Sequence, residues 1–166
     1  MNSGCYENDI SKVLLSIQVI DKNDLKLREI KGEKIKFLYR GSNLNKNFII
    51  ISAKLKGVID DKARVEKKQS ELIERKKLSQ PSQIKTCGST FKNISKDKKA
   101  WMLIKQSGCD NFKEGNVSIS EKHCNFFVNN GNAKSEDVEK LITKVKKEVL
   151  IKTGVNLELE IKIIGG

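Results

Sequence analysis

Apolar and polar residues alternate in the first third of the chain, which predicts β-strands with one buried face. A strand is predicted over 13–20, followed by a polar turn at 21–24 and a returning hairpin partner at 25–27. On the first strand, the residues expected to share one face are Val13, Leu15, Ile17 and Val19. The apolar run at 48–51 has polar residues on both sides and predicts a short strand buried on both faces.

The pattern changes near Gly57. Residues 60–77 are almost all helix formers with a weak apolar stripe, which predicts an exposed helix that joins two lobes. We therefore expect two domains, 1–57 and 58–166. The only proline, Pro81, stops the preceding helix.

The remaining sequence mixes helices with short strands, so the fold class predicted for the whole chain is α+β. Helices are predicted over 100–107 and over 135–153, the second capped by Ser135 and ended by Gly154. Strands are predicted over 115–119 and 124–128.

The last segment, 155–163, alternates sharply and predicts a further strand. Its even face presents two carboxylates and an ammonium, from Glu158, Glu160 and Lys162. Such a face is usually solvated, but it also suits the wall of a cleft.

Composition limits the possible partners. The net charge is +12, but only four of the 33 basic residues are arginines and aromatic residues are 5%, which argues against nucleic-acid recognition. We expect no membrane span and no signal peptide. The four cysteines and single His123 have no metal-site spacing, so we expect reduced thiols, no metal and a cytoplasmic protein.

Residues 80–93 contain the side chains best suited to binding a ligand. Gly88 allows a backbone conformation that a side chain would block, and the residues around it supply a hydroxyl, an ammonium and an amide. These groups, from Ser89, Lys92 and Asn93, suit an anionic, oxygen-rich small molecule, although an ordinary turn has the same composition. Arg40 follows an aromatic residue, and its simplest role is a surface arginine stacked on Tyr39.

Five stretches in order resemble the MurB flavoenzymes, the UDP-N-acetylenolpyruvoylglucosamine reductases. These stretches are Asn2-Ser3-Gly4-Cys5-Tyr6, Tyr39-Arg40-Gly41-Ser42, Gln80-Pro81 with Gly88-Ser89-Thr90-Phe91-Lys92-Asn93, Ser120-Glu121-Lys122-His123 with Asn125-Phe126 and Val128-Asn129, and Gly154 to Glu160 with Ile164-Gly165. Each motif alone is weak, but their order and spacing resemble the family along essentially the whole chain.

The resemblance implies NADPH- and FAD-dependent reduction of UDP-N-acetylglucosamine enolpyruvate for peptidoglycan synthesis, and hence for cell-wall formation, cell shape and cell division. It implies that Ser89 donates a proton, that Glu160 is the carboxylic acid of the site, and that Arg40 is its arginine. Substrate contacts are expected from Tyr39, Lys92 and Asn93. Cofactor contacts are expected from Asn2 and Gly4.

The chain departs from the family in length. Family members begin with a lobe that holds the FAD pyrophosphate, and Met1 falls well inside their flavin domain. Residues 1–57 therefore correspond to the C-terminal part of an α/β flavin domain, and residues 58–166 to the α+β substrate domain. Glu7, Trp101 and Lys105 also replace the residues usual in the family.

These departures leave several hypotheses open. The chain is half of a split enzyme with a separate flavin lobe, a decayed gene product, or a piece of a longer protein. Its function is reductase chemistry, binding of the UDP-sugar without turnover, or, least favoured, nucleic-acid binding.

Overall fold

A computed structural model describes residues 1–6 and 8–165, so Glu7 lies outside the described residues. The chain divides into two compact units, Met1–Asp61 and Lys62–Gly166. Each unit combines helices with antiparallel strands or hairpins, and the predicted α+β class is confirmed.

The first unit is built from short antiparallel pairings. Its elements are β1 (Gly4–Cys5), β2 (Asn8–Asp9), β3 (Leu14–Asp21), β4 (Leu27–Lys31), β5 (Phe37–Leu38), β6 (Gly41–Ser42) and β7 (Phe48–Leu55), with short 3-10 helices at Ile10–Lys12 and Gly32–Lys34. Three strands form a sheet in the order β4-β3-β7, so the hairpin predicted after residue 20 is confirmed.

The core of this unit is small. Its buried apolar residues are Ile17, Val19 and Ile35. The predicted face of β3 is only half correct, because Leu15 is 52% exposed. The pairing of β3 with β7 shifts register between Leu14 and Ser16, and this bulge interrupts the alternation of faces.

The prediction for the apolar run at 48–51 is wrong in one respect. The run does form a strand, as the start of β7, but seven of the eight residues of β7 are exposed. The strand lies at the edge of its sheet and pairs only with β3 among the described residues. Burial of both faces needs elements packed above and below the strand, and these residues of β7 stay exposed in the described part of the chain.

The second unit has a larger core. Its elements are α1 (Lys62–Ser79), β8 (Thr86–Ser89), α2 (Ala100–Gln106), β9 (Lys113–Glu114), β10 (Val117–Ile119), β11 (Phe126–Asn129) and α3 (Ser135–Thr153). The four strands form an antiparallel sheet in the order β8-β11-β10-β9. Residues of α2, α3, β10 and β11 pack together, with Phe91 and Leu157 fully buried between them.

Helix α1 has no buried residues, which confirms the prediction of an exposed helix.

Helix α3 begins differently from the prediction. Ser135 is its first helical residue, and Lys134 occupies the N-cap position, where its backbone N–H donates to the Asp137 carboxylate at 3.0 Å. Gly154 ends the helix in the left-handed conformation, as predicted.

The last segment is not the regular strand that alternation predicted. Residues 155–163 form one isolated β-bridge, between Leu159 and Phe91, and the chain bends directly after it at Glu160 and Ile161. Leu157 is fully buried, but Ile163 is 50% exposed, so the expected apolar face ends before the segment does. No described helix is long and apolar enough to cross a membrane.

Candidate active site

Ser89 is the last residue of β8 and lies half-buried beside a glycine. Gly88 has φ of +84°, so the prediction that this position needs glycine is confirmed. Ser89 pairs with Phe126 of β11, and the pairing shifts register before Val128. The extra residue of this bulge therefore lies between Thr86 and Ser89, immediately before the serine.

The turn after Ser89 is held by Asn125, which is 3% exposed. Its side-chain oxygen accepts the Phe91 N–H at 2.9 Å, and its side-chain nitrogen donates to the Phe91 carbonyl at 2.8 Å. Its backbone carbonyl also accepts the Thr90 N–H at 2.8 Å. Asn125 therefore extends the pairing beyond the end of β8 and fixes the backbone that follows Ser89.

We assigned no role to Asn125 from the sequence. The signal was a single amide in the apolar stretch around Cys124 and Phe126. A buried side-chain amide needs partners for both its donor and its acceptor. For Asn125 these partners are the backbone carbonyl and the backbone N–H of Phe91.

The final segment brings Glu160 to the Ser89 turn. The Glu160 N–H donates to the Thr90 carbonyl at 2.9 Å, and the Lys92 N–H donates to the Glu158 carbonyl at 2.8 Å. These two bonds flank the Phe91–Leu159 bridge. Ser89 and Glu160, far apart in sequence, are thereby placed on adjoining backbone segments.

The two glutamates of the final segment differ in environment. Glu160 is half-buried, whereas Glu158 is exposed and pairs with Lys92 at 3.2 Å. The Lys92 side chain is 34% exposed and that of Glu158 is 75% exposed. This ion pair is therefore solvated and exchangeable.

Asn93 supports the loop rather than projecting from it. Its side-chain oxygen accepts the N–H of Ala100, the first residue of α2, at 3.1 Å. An amide that satisfies a free N–H at a helix start fixes the connection between the Ser89 turn and α2.

Arg40 and Tyr39 lie in the first unit. The Arg40 guanidinium stacks on the Tyr39 ring at 5.0 Å and donates to the Gly4 carbonyl at 3.2 Å. Arg40 has φ of +54°, which non-glycine residues seldom adopt. Tyr39 is 52% exposed. The predicted stacking is therefore present, and the arginine also contacts the N-terminal turn.

The two residues expected to contact a cofactor are part of this turn. The Asn2 side chain donates to Asp9 at 3.1 Å and accepts the Ser11 N–H at 3.1 Å. A Cβ at Gly4 would lie 2.6 Å from the Asn8 carbonyl oxygen, so the glycine is needed for packing within the chain. Asn2 and Gly4 therefore both contribute to the packing of the N-terminal turn.

Other groups in the described residues do not add to this site. A groove of about 740 Å³ lies on the second unit, but its lining includes none of Ser89, Lys92 and Glu160. The four cysteines are free thiols. No group of three or more potential metal ligands occurs among residues 1–6 and 8–165.

Comparison with known proteins gives one consistent family. Residues 80–164 match the model of the UDP-N-acetylenolpyruvoylglucosamine reductase C-terminal domain. The chain is 46% identical to the UDP-N-acetylenolpyruvoylglucosamine reductase of Pelagibacter ubique, over 99% of this chain and 55% of that protein. It is 42% identical to the reductase of that name from Wolbachia pipientis wMel, over 99% of this chain and 56% of the relative.

A solved structure agrees. The chain superposes on the UDP-N-acetylenolpyruvylglucosamine reductase (MurB) from Thermus caldophilus with a TM-score of 0.85 and 30% identity, over 98% of this chain and 57% of that one. The chain thus spans about half the length of the relatives it matches. On the family model and on this likeness, the chain belongs to the UDP-N-acetylenolpyruvoylglucosamine reductase (MurB) family.

Proposed function

We propose that this chain supplies the substrate-reducing half of a MurB reductase, which converts the enolpyruvyl ether of UDP-N-acetylglucosamine to a lactyl ether for peptidoglycan synthesis. The observation that carries the proposal is the pairing of residues 90–92 with residues 158–160. This pairing places Glu160, the candidate carboxylic acid, beside the segment that directly follows Ser89, the candidate proton donor. In this proposal residues 1–57 are the tail of a flavin domain and residues 58–166 bind the substrate.

Ser89 is the proposed proton donor. Reduction adds hydride to the vinyl carbon distant from the carboxylate and leaves enolate-like charge, which a proton then quenches at the other carbon. A serine is a weak acid, but a strongly basic enolate can take its proton when the geometry is fixed. The Asn125 contacts to Phe91 and Thr90 provide support for such fixed geometry.

Glu160 and Arg40 are proposed to stabilise the charge that develops on the substrate carboxylate. Glu160 is the proposed carboxylic acid beside that carboxylate, because its backbone pairs with Thr90 and its side chain is half-buried, whereas Glu158 is exposed and pairs with Lys92. A guanidinium held by a stack and a backbone contact, as Arg40 is, is already oriented before charge develops.

Three further residues are proposed to contact the substrate. The Lys92 ammonium is solvated, and an anionic phosphate could replace Glu158 as its partner. Asn93 orients this loop through its bond to Ala100, and Tyr39 offers an exposed ring beside Arg40.

The proposed cofactors are FAD and NADPH, which would supply the hydride. Of the two residues proposed to contact the cofactor, Asn2 is held by Asp9 and Ser11, and Gly4 is closely packed against Asn8, so this turn is ordered by its own contacts. The roles proposed here for this chain's own residues concern the substrate, the proton and the developing charge.

The test fuses the N-terminal part of the Pelagibacter ubique reductase ahead of Met1. In stopped-flow measurements, Ser89→Ala should slow flavin reoxidation by substrate by about 10²–10⁴-fold and leave flavin reduction by NADPH nearly unchanged. Ser82→Ala, an exposed serine before the same turn, is the matched control. Equal slowing of both half-reactions would show that Ser89 has only a structural role.

A second candidate is a protein that binds the UDP-sugar without reducing it, in keeping with a chain that spans about half the length of its relatives and matches the model of their C-terminal domain. Titration calorimetry with the unmodified chain addresses this candidate. Binding that weakens on Lys92→Ala, but not on Lys96→Ala, together with a fusion that has no turnover, would support it. Equal binding of heparin would instead indicate bulk charge.

A further inference from the structure

The loop between β11 and α3 contains the only asparagine in the sequence that is directly followed by glycine, Asn130-Gly131. Asparagine is one of the chemically labile residues of proteins. Its side-chain amide is lost most readily before glycine, because no side chain hinders the approach of the next backbone nitrogen to the side-chain carbonyl carbon. No aspartate in the sequence precedes a glycine either, so position 130 is the sole candidate of this kind.

The structure leaves this dipeptide accessible. Asn130 is exposed and lies outside the strand and the helix that flank it. Gly131 has φ of +115°, and no atom lies within 4 Å of the position that a Cβ would take. Asn2, which precedes the small residue Ser3, differs in being 6% exposed and held by hydrogen bonds at both side-chain polar atoms. Asn130 therefore combines a small following residue with an open surface.

Two hydrogen bonds restrain the reacting groups. The Asn130 side-chain nitrogen donates to the hydroxyl of Ser118 on β10 at 3.0 Å. The Gly131 N–H donates to the side-chain oxygen of Asn129 at 2.8 Å. The first bond holds the side-chain amide at β10, and the second engages the hydrogen that the attacking nitrogen must lose. A bond from an exposed side chain has a small net free energy, so these contacts slow the reaction without stopping it.

We propose that Asn130 undergoes spontaneous deamidation in the folded chain, at a rate limited by the Ser118 hydroxyl. The Gly131 nitrogen forms a bond to the side-chain carbonyl carbon of Asn130, the bond from that carbon to its amide nitrogen breaks, and ammonia leaves with the Gly131 hydrogen. Water then opens the five-membered imide at one of its two carbonyls and leaves aspartate or isoaspartate at position 130. The reaction requires no other reagent and none of the catalytic roles proposed above.

The isoaspartate product changes the link between the sheet and α3. The Asn129 side-chain oxygen accepts the N–H groups of Gly131 and Ala133 at 2.8 and 3.3 Å. The Asn130 N–H donates to the Asn116 carbonyl at 2.9 Å. Isoaspartate inserts one more carbon into the backbone between these bonds and alters their spacing. Deamidation should therefore loosen the connection to α3 and lower the stability of the second unit.

Peptide mapping by mass spectrometry tests the site. The full chain is incubated in mildly alkaline buffer, folded and in urea, and the conversion of each asparagine is followed over time. We expect position 130 of the folded chain to convert before every other asparagine, and more slowly than in urea. An intact Asn130 amide in the folded chain after the unfolded chain has fully converted would overturn the proposal. Equal rates in the two samples would refute the restraint.

Variants of Ser118 test the source of the restraint. Ser118→Ala should speed the conversion by about two- to tenfold, a range set by the net free energy of one hydrogen bond. Ser118→Thr keeps a hydroxyl and should keep the wild-type rate. Ser95→Ala is the matched control, because the Ser95 hydroxyl accepts the Lys98 N–H instead. An unchanged rate in Ser118→Ala, or a rate in Ser118→Thr equal to that of Ser118→Ala, would refute the role of the hydroxyl.

Asn130→Asp separates the new charge from the longer backbone. It supplies the carboxylate without the added carbon, so it should unfold at a higher urea concentration than the isoaspartate form isolated by chromatography. Equal midpoints for the two proteins would refute the proposed loosening of the link to α3.

Discussion

Replacing Asn125 with alanine should unfold the second unit more easily, because it removes the side chain that holds the turn after Ser89. The two bonds to Phe91, at 2.9 and 2.8 Å, satisfy a buried N–H and a buried carbonyl. Each buried polar group left without a partner costs about 1–3 kcal/mol, so the loss of two partners in Asn125→Ala should lower the free energy of unfolding by roughly 2–6 kcal/mol. That is a large share of the 5–15 kcal/mol that is typical of a domain.

Urea unfolding followed by the fluorescence of Trp101, the single tryptophan, measures this loss. Asn156→Ala is the matched control, because Asn156 is an exposed asparagine of the same unit. It should change the free energy of unfolding by less than about 0.5 kcal/mol. Equal and small losses in the two variants would show that the Asn125 side chain does not hold the turn, and the support for an ordered Ser89 would be lost.

Two further predictions concern the same unit. Burial lowers the pKa of His123 below its ordinary 6.5, and its Nδ1 accepts the Asn125 N–H at 3.3 Å. The unfolded chain therefore binds a proton at a higher pH than the folded chain, and stability should fall as the pH drops below about 6.5. His123→Gln should flatten this dependence between about pH 6.5 and 5 in urea titrations, and an unchanged slope would contradict it. Gly115→Ala should cost about 2 kcal/mol, because φ is +51° and the new Cβ would lie 2.5 Å from the Asp137 carboxyl that caps α3. Gly108→Ala is the matched control, because Gly108 has φ of +68° but no atom lies within 4 Å of the new Cβ. It should lower the free energy of unfolding by only about 1 kcal/mol in thermal unfolding. Equal losses in the two variants would refute the contact with Asp137.

The sequence by itself determined the features that depend on local pattern. Apolar residues at helical spacing located α3, and Gly154 marked its end. The turn at 21–24 located the β3–β4 hairpin, and the weak apolar stripe of α1 indicated its exposure. Gly88 was recognised as a position for a positive φ. Each of these depends on neighbours within a few residues along the chain.

Tertiary structure decided the features that depend on distant neighbours. Alternation over 155–163 indicated an extended segment, but only the fold shows that it meets residues 90–92 and forms one bridge. The bulge that exposes Leu15 arises from pairing with β7, and the partners of Asn125 come from a different strand. The apolar run of β7 was expected to be buried, yet burial depends on what covers a face, and composition alone does not specify the covering element.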